Sequence, residues 1–507
     1  MSELPTFKRA GPRLGGVGFS GARPFVSDTG PRVLAEAIQY RVFALLDSVV
    51  ERGAYAQINK LSDFLLREFL SEPAEPMPLW DWIKSMPTRR RKQLIRALRE
   101  REERGEPSHK YHLISPFIKT EHLPFFAQSH NLYGKEELVY VARLIQAPHD
   151  ETHLDAGPYL KPLVPRLKAV WDWENWIFYA SVSPDKLDKW LNRVCKASSW
   201  FWSDYSAFDA TYSPEAWELI EGFYYRIYGD QACETLRRAL DVWRTPQGKV
   251  KLRKHDTTIQ YQAAACNASG RDDTALANAL LNGLVLSISM AAAYSGKSIY
   301  QVTERELRWA SRVMDIAVVG DDSLVACKFD VSTIEQEIVA NIRKFGLVAK
   351  ACSSSELCDV TFLGQMPFPV NGQYYWGPTL GRRLYKCFWQ AEPIGNLPAW
   401  VKGVAKQLSL YRHVPILCDL ADKVLELLRG MKETKFVVDP NRVWSAREFP
   451  TPAYGRDTVE FLCRRYREQG LAPCQVYADL KTISGITRLP AITRLNTTEV
   501  AFAVDDL

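Results

Sequence analysis

A mixed α+β chain is what the sequence predicts, on three observations. Residues 31–72 carry apolar positions at helical spacing, and after a Pro-rich break at 72–78 Thr88 reads as the N-cap of a basic helix, RRRKQLIRALRERE. Residues 316–326, IAVVGDDSLVA, are two apolar strands about a tight turn, the pattern of a β-hairpin. Residues 275–294, ALANALLNGLVLSISMAAAY, contain no charge and are long enough to cross a bilayer. Asn278, Asn282, Ser287 and Ser289 interrupt that run and no aromatic or basic belt brackets both ends, so a buried helix is predicted.

The remaining elements follow in chain order. The first 25 residues, rich in Gly, Pro and Arg, read as an extended arm over other lobes. Within them Gly16-Val-Gly18-Phe-Ser-Gly21 matches a dinucleotide-binding pattern, but no strand precedes it and no βαβ unit surrounds it. Arg89 to Lys92 sit at the positive end of their helix dipole, which calls for an acidic or phosphate partner or else a solvated face. Residues 105–170 read as short strands and loops with basic punctuation. Trp171, Trp173, Trp176, Trp190, Trp200 and Trp202 read as core. From about 380 the text is mostly helical and ends in ITRLNTTEVAFAVDDL.

Composition narrows the class. A chain of 507 residues suggests about three lobes. Its 46% apolar and 24% charged residues exclude wholesale disorder and fibrous repeats. The net charge of +6 permits an anionic partner without demanding one. Ten scattered cysteines without a Cys-x-x-Cys pair, and no secretory signal, read as buried thiols of a reducing compartment. His109 with His112, and His149 with His153, have ligand spacing but no cysteine nearby and are read as non-ligands.

Three segments place acidic or small polar residues where a fold wants apolar ones. Trp200-Phe-Trp202 leads to Asp204, with Asp209 five residues on, and a carboxylate at a strand terminus is a usual metal ligand. Gly320-Asp321-Asp322 puts two carboxylates at the tip of an apolar hairpin, where they repel unless a cation neutralises them. Ser269-Gly270 opens a loop into the long apolar helix, on which Thr274 and Asn278 share one face and need polar partners such as a ribose.

The order Asp-x4-Asp, Ser-Gly-x3-Thr-x3-Asn, Gly-Asp-Asp resembles motifs A, B and C of viral RNA-dependent RNA polymerases. Ser115-Pro-Phe-Ile-Lys119-Thr-Glu121, Arg143-Leu-Ile-Gln-Ala-Pro148 and Gly157-Pro-Tyr-Leu-Lys-Pro-Leu163 resemble the basic fingers motif (F) of the tombusvirus-like and nodavirus-like positive-strand RNA virus polymerases. Residues 332–345, with a capping box (Ser332, Glu335), an Ile334, Ile338, Ile342, Phe345 stripe, Gly346 as a stop and Lys350 beyond, look like motif D. Residues 362–369 are similar to the motif E loop. The resemblance covers about 90–390.

That resemblance implies a right-hand polymerase with fingers, palm and thumb and an antiparallel palm sheet packed on helices. Its divisions are an arm at 1–30, fingers at 31–198, palm at 199–212, a fingers insertion at 213–262, palm at 263–378, and thumb with C-terminal region at 379–507. The arm is expected to bridge fingers to thumb. The implied activity is RNA-directed RNA synthesis by two-metal transfer from NTPs to an RNA 3′-hydroxyl. Asp204, Asp321 and Asp322 would hold two Mg²⁺, for which Mn²⁺ substitutes. Lys119 and Arg143 would hold the polyphosphate, and Asp209, Thr274 and Asn278, with Ser269 and Gly270, the ribose and RNA. Lys350 would protonate pyrophosphate. Implied partners are template and product RNA, NTPs, other viral replication proteins or a capsid, with membrane contact only through partners and no DNA. The implied location is the host cytoplasm, in a replication complex or particle. A non-catalytic RNA-binding scaffold would not need all three aspartates. A reverse transcriptase would carry an aromatic residue at Gly320 and a bulky one near the ribose.

Overall fold

The structure, a computed structural model, describes residues 8–9, 15–16, 25–26, 29–43, 49–120, 122–123, 142–180, 183–229, 234–380, 383, 388–390, 397–430 and 449–466. Its strands begin with β1 (Lys8–Arg9), β2 (Gly15–Gly16), β3 (Phe25–Val26), β4 (Leu113–Ile118), β5 (His122–Leu123), β6 (Leu144–Pro148), β7 (Ile177–Tyr179) and β8 (Ser199–Tyr205). They continue with β9 (Gln247–Leu252), β10 (Thr257–Gln262), β11 (Met314–Val319), β12 (Asp322–Cys327), β13 (Ala349–Ser354), β14 (Gln365–Val370), β15 (Gln373–Pro378) and β16 (Trp389–Gln390). Helices and antiparallel-rich sheets together make the fold α+β.

The central sheet runs β13-β8-β12-β11-β7. Strand β7 and residues 316–319 and 324–327 of β11 and β12 are apolar on successive positions because both faces are covered there. Phe201, Ile316, Val318 and Val325 enter the largest core with helix Thr274–Ser295. Trp200, Ala317, Leu324 and Ala326 pack on the opposite side with Leu187, Trp190 and Leu191 of helix Pro184–Val194. One pair departs from the expected all-antiparallel sheet: β7 runs parallel to β11, with Ile177 opposite Ile316. The long helical stretch between them supplies the crossover that parallel strands require.

Helix Thr274–Ser295 is long and apolar enough to span a membrane, yet it is buried inside the protein. The six tryptophans also lie in or against the cores. A second sheet, β10-β9-β4-β6, packs Ile118, Leu144, Val250 and Ile259 on helix Pro31–Arg41. The hairpin β14–β15 shares a third core with helices Leu397–Leu408, Leu417–Leu427 and Arg456–Arg465. Residues 467–507, including the C-terminal Thr/Asp-containing tail, lie outside the described residues. At the other end β2 pairs with β16 and β3 with β5, joining the arm to two regions far apart in sequence.

Three local expectations are corrected. Residues 105–170 are not all strands and loops, because Asp150–Val170 is one helix containing Pro158, Pro162 and Pro165. Proline lacks the N–H that bonds residue i−4, so Pro162 leaves the Pro158 carbonyl free, and the Met77 amide takes it at 2.9 Å. The same helix supplies acids to the basic helix Thr88–Arg104: Arg90 pairs with Asp150, Arg104 with Glu151, and Arg101 with Asp155 at 2.6 Å. Thr88 is the first residue of that helix, and Pro87, without a side-chain cap bond, precedes it. The Ser332–Glu335 capping box is absent too. Asp330 accepts from the Ser332 amide at 3.0 Å, Val331–Ile334 is a 3₁₀ turn, and Glu335 accepts from the Ser353 hydroxyl.

Packing on the long helix gives a direct test. A Cβ on Gly283 would stand 2.7 Å from the ring of buried Trp171, whereas one on Gly222 meets nothing within 4 Å. Gly283→Ala is expected to destabilise by about 1–3 kcal/mol through overpacking. Gly222→Ala is expected to stabilise by roughly 0.5–1 kcal/mol through helix propensity. Urea melts of both variants read the difference.

Candidate active site

Where the central sheet meets β6 and the turn before β14, the protein encloses a cavity of about 970 Å³. Asp204, Asp209, Asp321 and Asp322 line it together with Lys119, Arg143 and Lys350. Arg41 and Arg383, which the sequence reading did not single out, line it as well.

The strand registers explain this convergence. Val319 pairs with Asp322, so Gly320 and Asp321 form a two-residue turn and Asp322 opens β12. Gly320 has φ +59°, the left-handed region that a glycine at the first turn position adopts without strain. On the neighbouring strand Ser203 pairs with Ser323, their hydroxyls 2.6 Å apart, and Asp204 follows one residue on. Across the other edge of β8, Lys350 is the register partner of Asp204. Burial and the charge of Asp204 hold the Asp321 carboxyl above the usual range, against the opposing pull of Arg143.

One buried side chain, Asn282, ties these parts together. Its Nδ2 donates to the carbonyls of Gly320 at 3.1 Å, Asp321 at 3.1 Å and Asp322 at 3.4 Å. Its Oδ1 accepts from Tyr205, the residue after Asp204, at 2.9 Å. In the sequence Asn282 stood out only as a polar interruption of an apolar helix, although its spacing of four from Asn278 puts both on one face.

Residues 181–373 match the family of viral RNA-dependent RNA polymerases. Over that span the chain is similar to viral RNA-dependent RNA polymerases. The match indicates an RNA-directed nucleotidyltransferase, and that family implies an RNA template and NTPs. All four cavity aspartates and Lys350 belong to the matched polymerase segment, and Lys119 and Arg143 come from chain preceding it. No curated protein matches the chain.

The structure places the remaining predicted residues differently. Asp209 accepts from Asn278 at 3.0 Å and from Asn267 at 3.2 Å, while Asn278 accepts from Tyr212 at 2.9 Å. Asn278 is thus buried behind Asp209 and does not line the cavity itself. Ser269 lines it, with its hydroxyl bonded to the Leu144 carbonyl at 3.1 Å. Gly270 donates its amide to Gln146 at 3.0 Å, and a Cβ there would lie 2.4 Å from that carbonyl, so the close approach needs glycine. The Thr274 hydroxyl donates to the carbonyls of Ala268 at 3.1 Å and Arg271 at 3.2 Å, away from the cavity lining. Gly270 and Thr274 therefore shape the loop. Under it Arg271 and Asp273, both fully buried at the side chain, form a paired fork at 2.9 Å, with the guanidinium 3.8 Å from the Trp217 ring.

Among the described residues no three His, Cys, Asp or Glu side chains cluster closely enough to hold a metal by themselves. Polymerases of the matched family generally use divalent ions, and such an ion can be held by one or two carboxylates with water and substrate phosphate oxygens for the rest.

Two outcomes follow. Asn282→Ala frees the turn carbonyls, and since a 1 Å misplacement costs about 10²-fold, RNA synthesis is expected to fall by that order, with Ser287→Ala, a buried hydroxyl on the same helix, as control. Burial pushes the Asp209 carboxyl up to about 6, with the Asn278 amide opposing and the Asp321 charge adding. A raised carboxyl stabilises the fold below its unfolded value near 3.8 and loses that contribution as pH rises towards 6. Asp209→Asn is expected to flatten this decline between those pH values in denaturant melts.

Proposed function

We propose that the cavity joins NTPs to an RNA 3′-hydroxyl under the direction of an RNA template. The observation that carries this reading is the meeting of Asp204 with Asp321 and Asp322 at adjacent strand ends, facing Arg143 and Lys119 across one cavity. In the proposed reaction the 3′-hydroxyl gives its proton to solvent, its oxygen attacks the α-phosphorus, the bond to the β-phosphate oxygen breaks, and pyrophosphate leaves.

Each side chain has a defined part. Asp204 and Asp321, with Asp322 beside them, would hold two Mg²⁺ ions, or Mn²⁺ in their place. When bound, these ions stabilise the attacking and leaving oxygens. Arg143 offers a fork and Lys119 a point charge to the triphosphate. Lys350, opposite Asp204, is within the cavity to give a proton to the departing pyrophosphate. Asp209 accepts a hydrogen bond from a ribose hydroxyl, and Asn278 holds that carboxylate in place. This revises the direct ribose contact expected of Asn278.

We also assign the central sheet and the long helix to a palm, β4, β6, β9 and β10 to fingers, and the helices after β15 to a thumb. The arm pairings β2–β16 and β3–β5 support a strap between fingers and thumb.

The test is incorporation of labelled NTPs on a short RNA template with Mg²⁺. Wild type is expected to make template-dependent RNA, and Asp321→Ala with Asp322→Ala to lose at least about 10³-fold, each removed group being an electrostatic contact to the transition state. Equal background from both proteins defeats the reading.

A further inference from the structure

The sheet β10-β9-β4-β6 has one face on helix Pro31–Arg41 and another turned to solvent. Along β4, Ser115 and Phe117 are exposed between buried Ile114, Pro116 and Ile118. Phe117 is 49% exposed, unusual for so large an apolar ring. The adjacent strand β9 starts parallel to β4, with Ile114 opposite Gly248, and exposes Lys249 and Lys251 while Val250 and Leu252 pack inward. Next to them β10 sets Gln260 opposite Lys249 and Thr258 opposite Lys251, adding neutral polar groups.

On its other flank the face runs into the cavity. Ile145 of β6 is the partner of Phe117, and the Lys119 amide donates to the Arg143 carbonyl at 2.8 Å. Lys119, Arg143 and Ile145 all line the cavity. Among the described residues, these outward strand positions carry no carboxylate. Asp256, in the β9–β10 turn, stands 3.6 Å from Lys251 with both side chains largely in water, a pair that offsets little of the charge.

An exposed ring beside lysines on a sheet suits unpaired bases, which stack on the ring while the ammonium groups meet phosphates. A protein-docking patch would group several apolar residues, whereas Phe117 shares this face with Ile145 and with lysines and neutral polar groups. We propose that this outer sheet face is a binding track for an unpaired RNA strand leading to the cavity, with Phe117 as the stacking platform and Lys249 and Lys251 as phosphate contacts. The inference rests on the polymerase reading of the cavity and extends the RNA contact beyond it.

Fluorescence anisotropy of the full chain with a labelled single-stranded RNA of roughly 20 nucleotides, long enough to leave the cavity, tests the track. No NTP or divalent metal is added. The Lys249→Ala, Lys251→Ala variant is expected to lower the slope of log affinity against log salt by about 1.4, two contacts at about 0.7 each. Phe117→Ala is expected to weaken binding about tenfold with the salt slope unchanged. Wild-type affinity and slope in both variants overturn the track. Because binding is read apart from synthesis, absent incorporation by wild type defeats the polymerase reading and leaves the binding result standing.

Discussion

The amide of Asn282 is the interaction on which the site depends. Carboxylates at Asp204, Asp321 and Asp322 repel one another, so nothing in their own chemistry keeps them together. The scaffold must hold them, and it does so through backbone. The Asn282 amide nitrogen fixes the three carbonyls of Gly320 to Asp322, and its oxygen receives the hydroxyl of the residue next to Asp204. A buried amide with partners on both ends has one orientation, which transmits the position of the long helix to both acid-bearing strands.

The helix can play that role because it is itself locked. It is buried along its length, and its N-terminal loop is fastened to β6 through Ser269 and Gly270 and underneath by the Arg271–Asp273 pair against Trp217. A buried ion pair is costly without further partners, and here Tyr224 donates to Asp273 at 3.2 Å. The same loop thus joins the strand next to Arg143 to the helix that holds the acidic turn. Cations and carboxylates reach one cavity from different parts of the chain, and the loop keeps those parts in register.

Much of this was legible in residue order. The apolar hairpin around Gly320 to Asp322 and the strand leading to Asp204 were readable because both faces of that sheet are covered there, which makes residues 316–319, 324–327 and 200–202 apolar on successive positions. The helix Asp150–Val170 was not, since three prolines signal a break, for which the Met77 amide and the arginines of a helix distant in sequence compensate. Asn278 read as a ribose contact because a polar group on an apolar helix needs a partner, and the partner it found was the Asp209 carboxylate.

The sequence by itself determined the local chemistry: which residues can form the turn, which are acidic, which helix must be buried. These follow from side-chain type and spacing, properties carried by each segment alone. Only the tertiary structure decided who faces whom. It brought Arg41 and Arg383 to the cavity, set Lys350 across from Asp204, and turned Thr274 inward to its own loop. The first two are set by strand register and close packing between segments far apart in the chain, which no local pattern records.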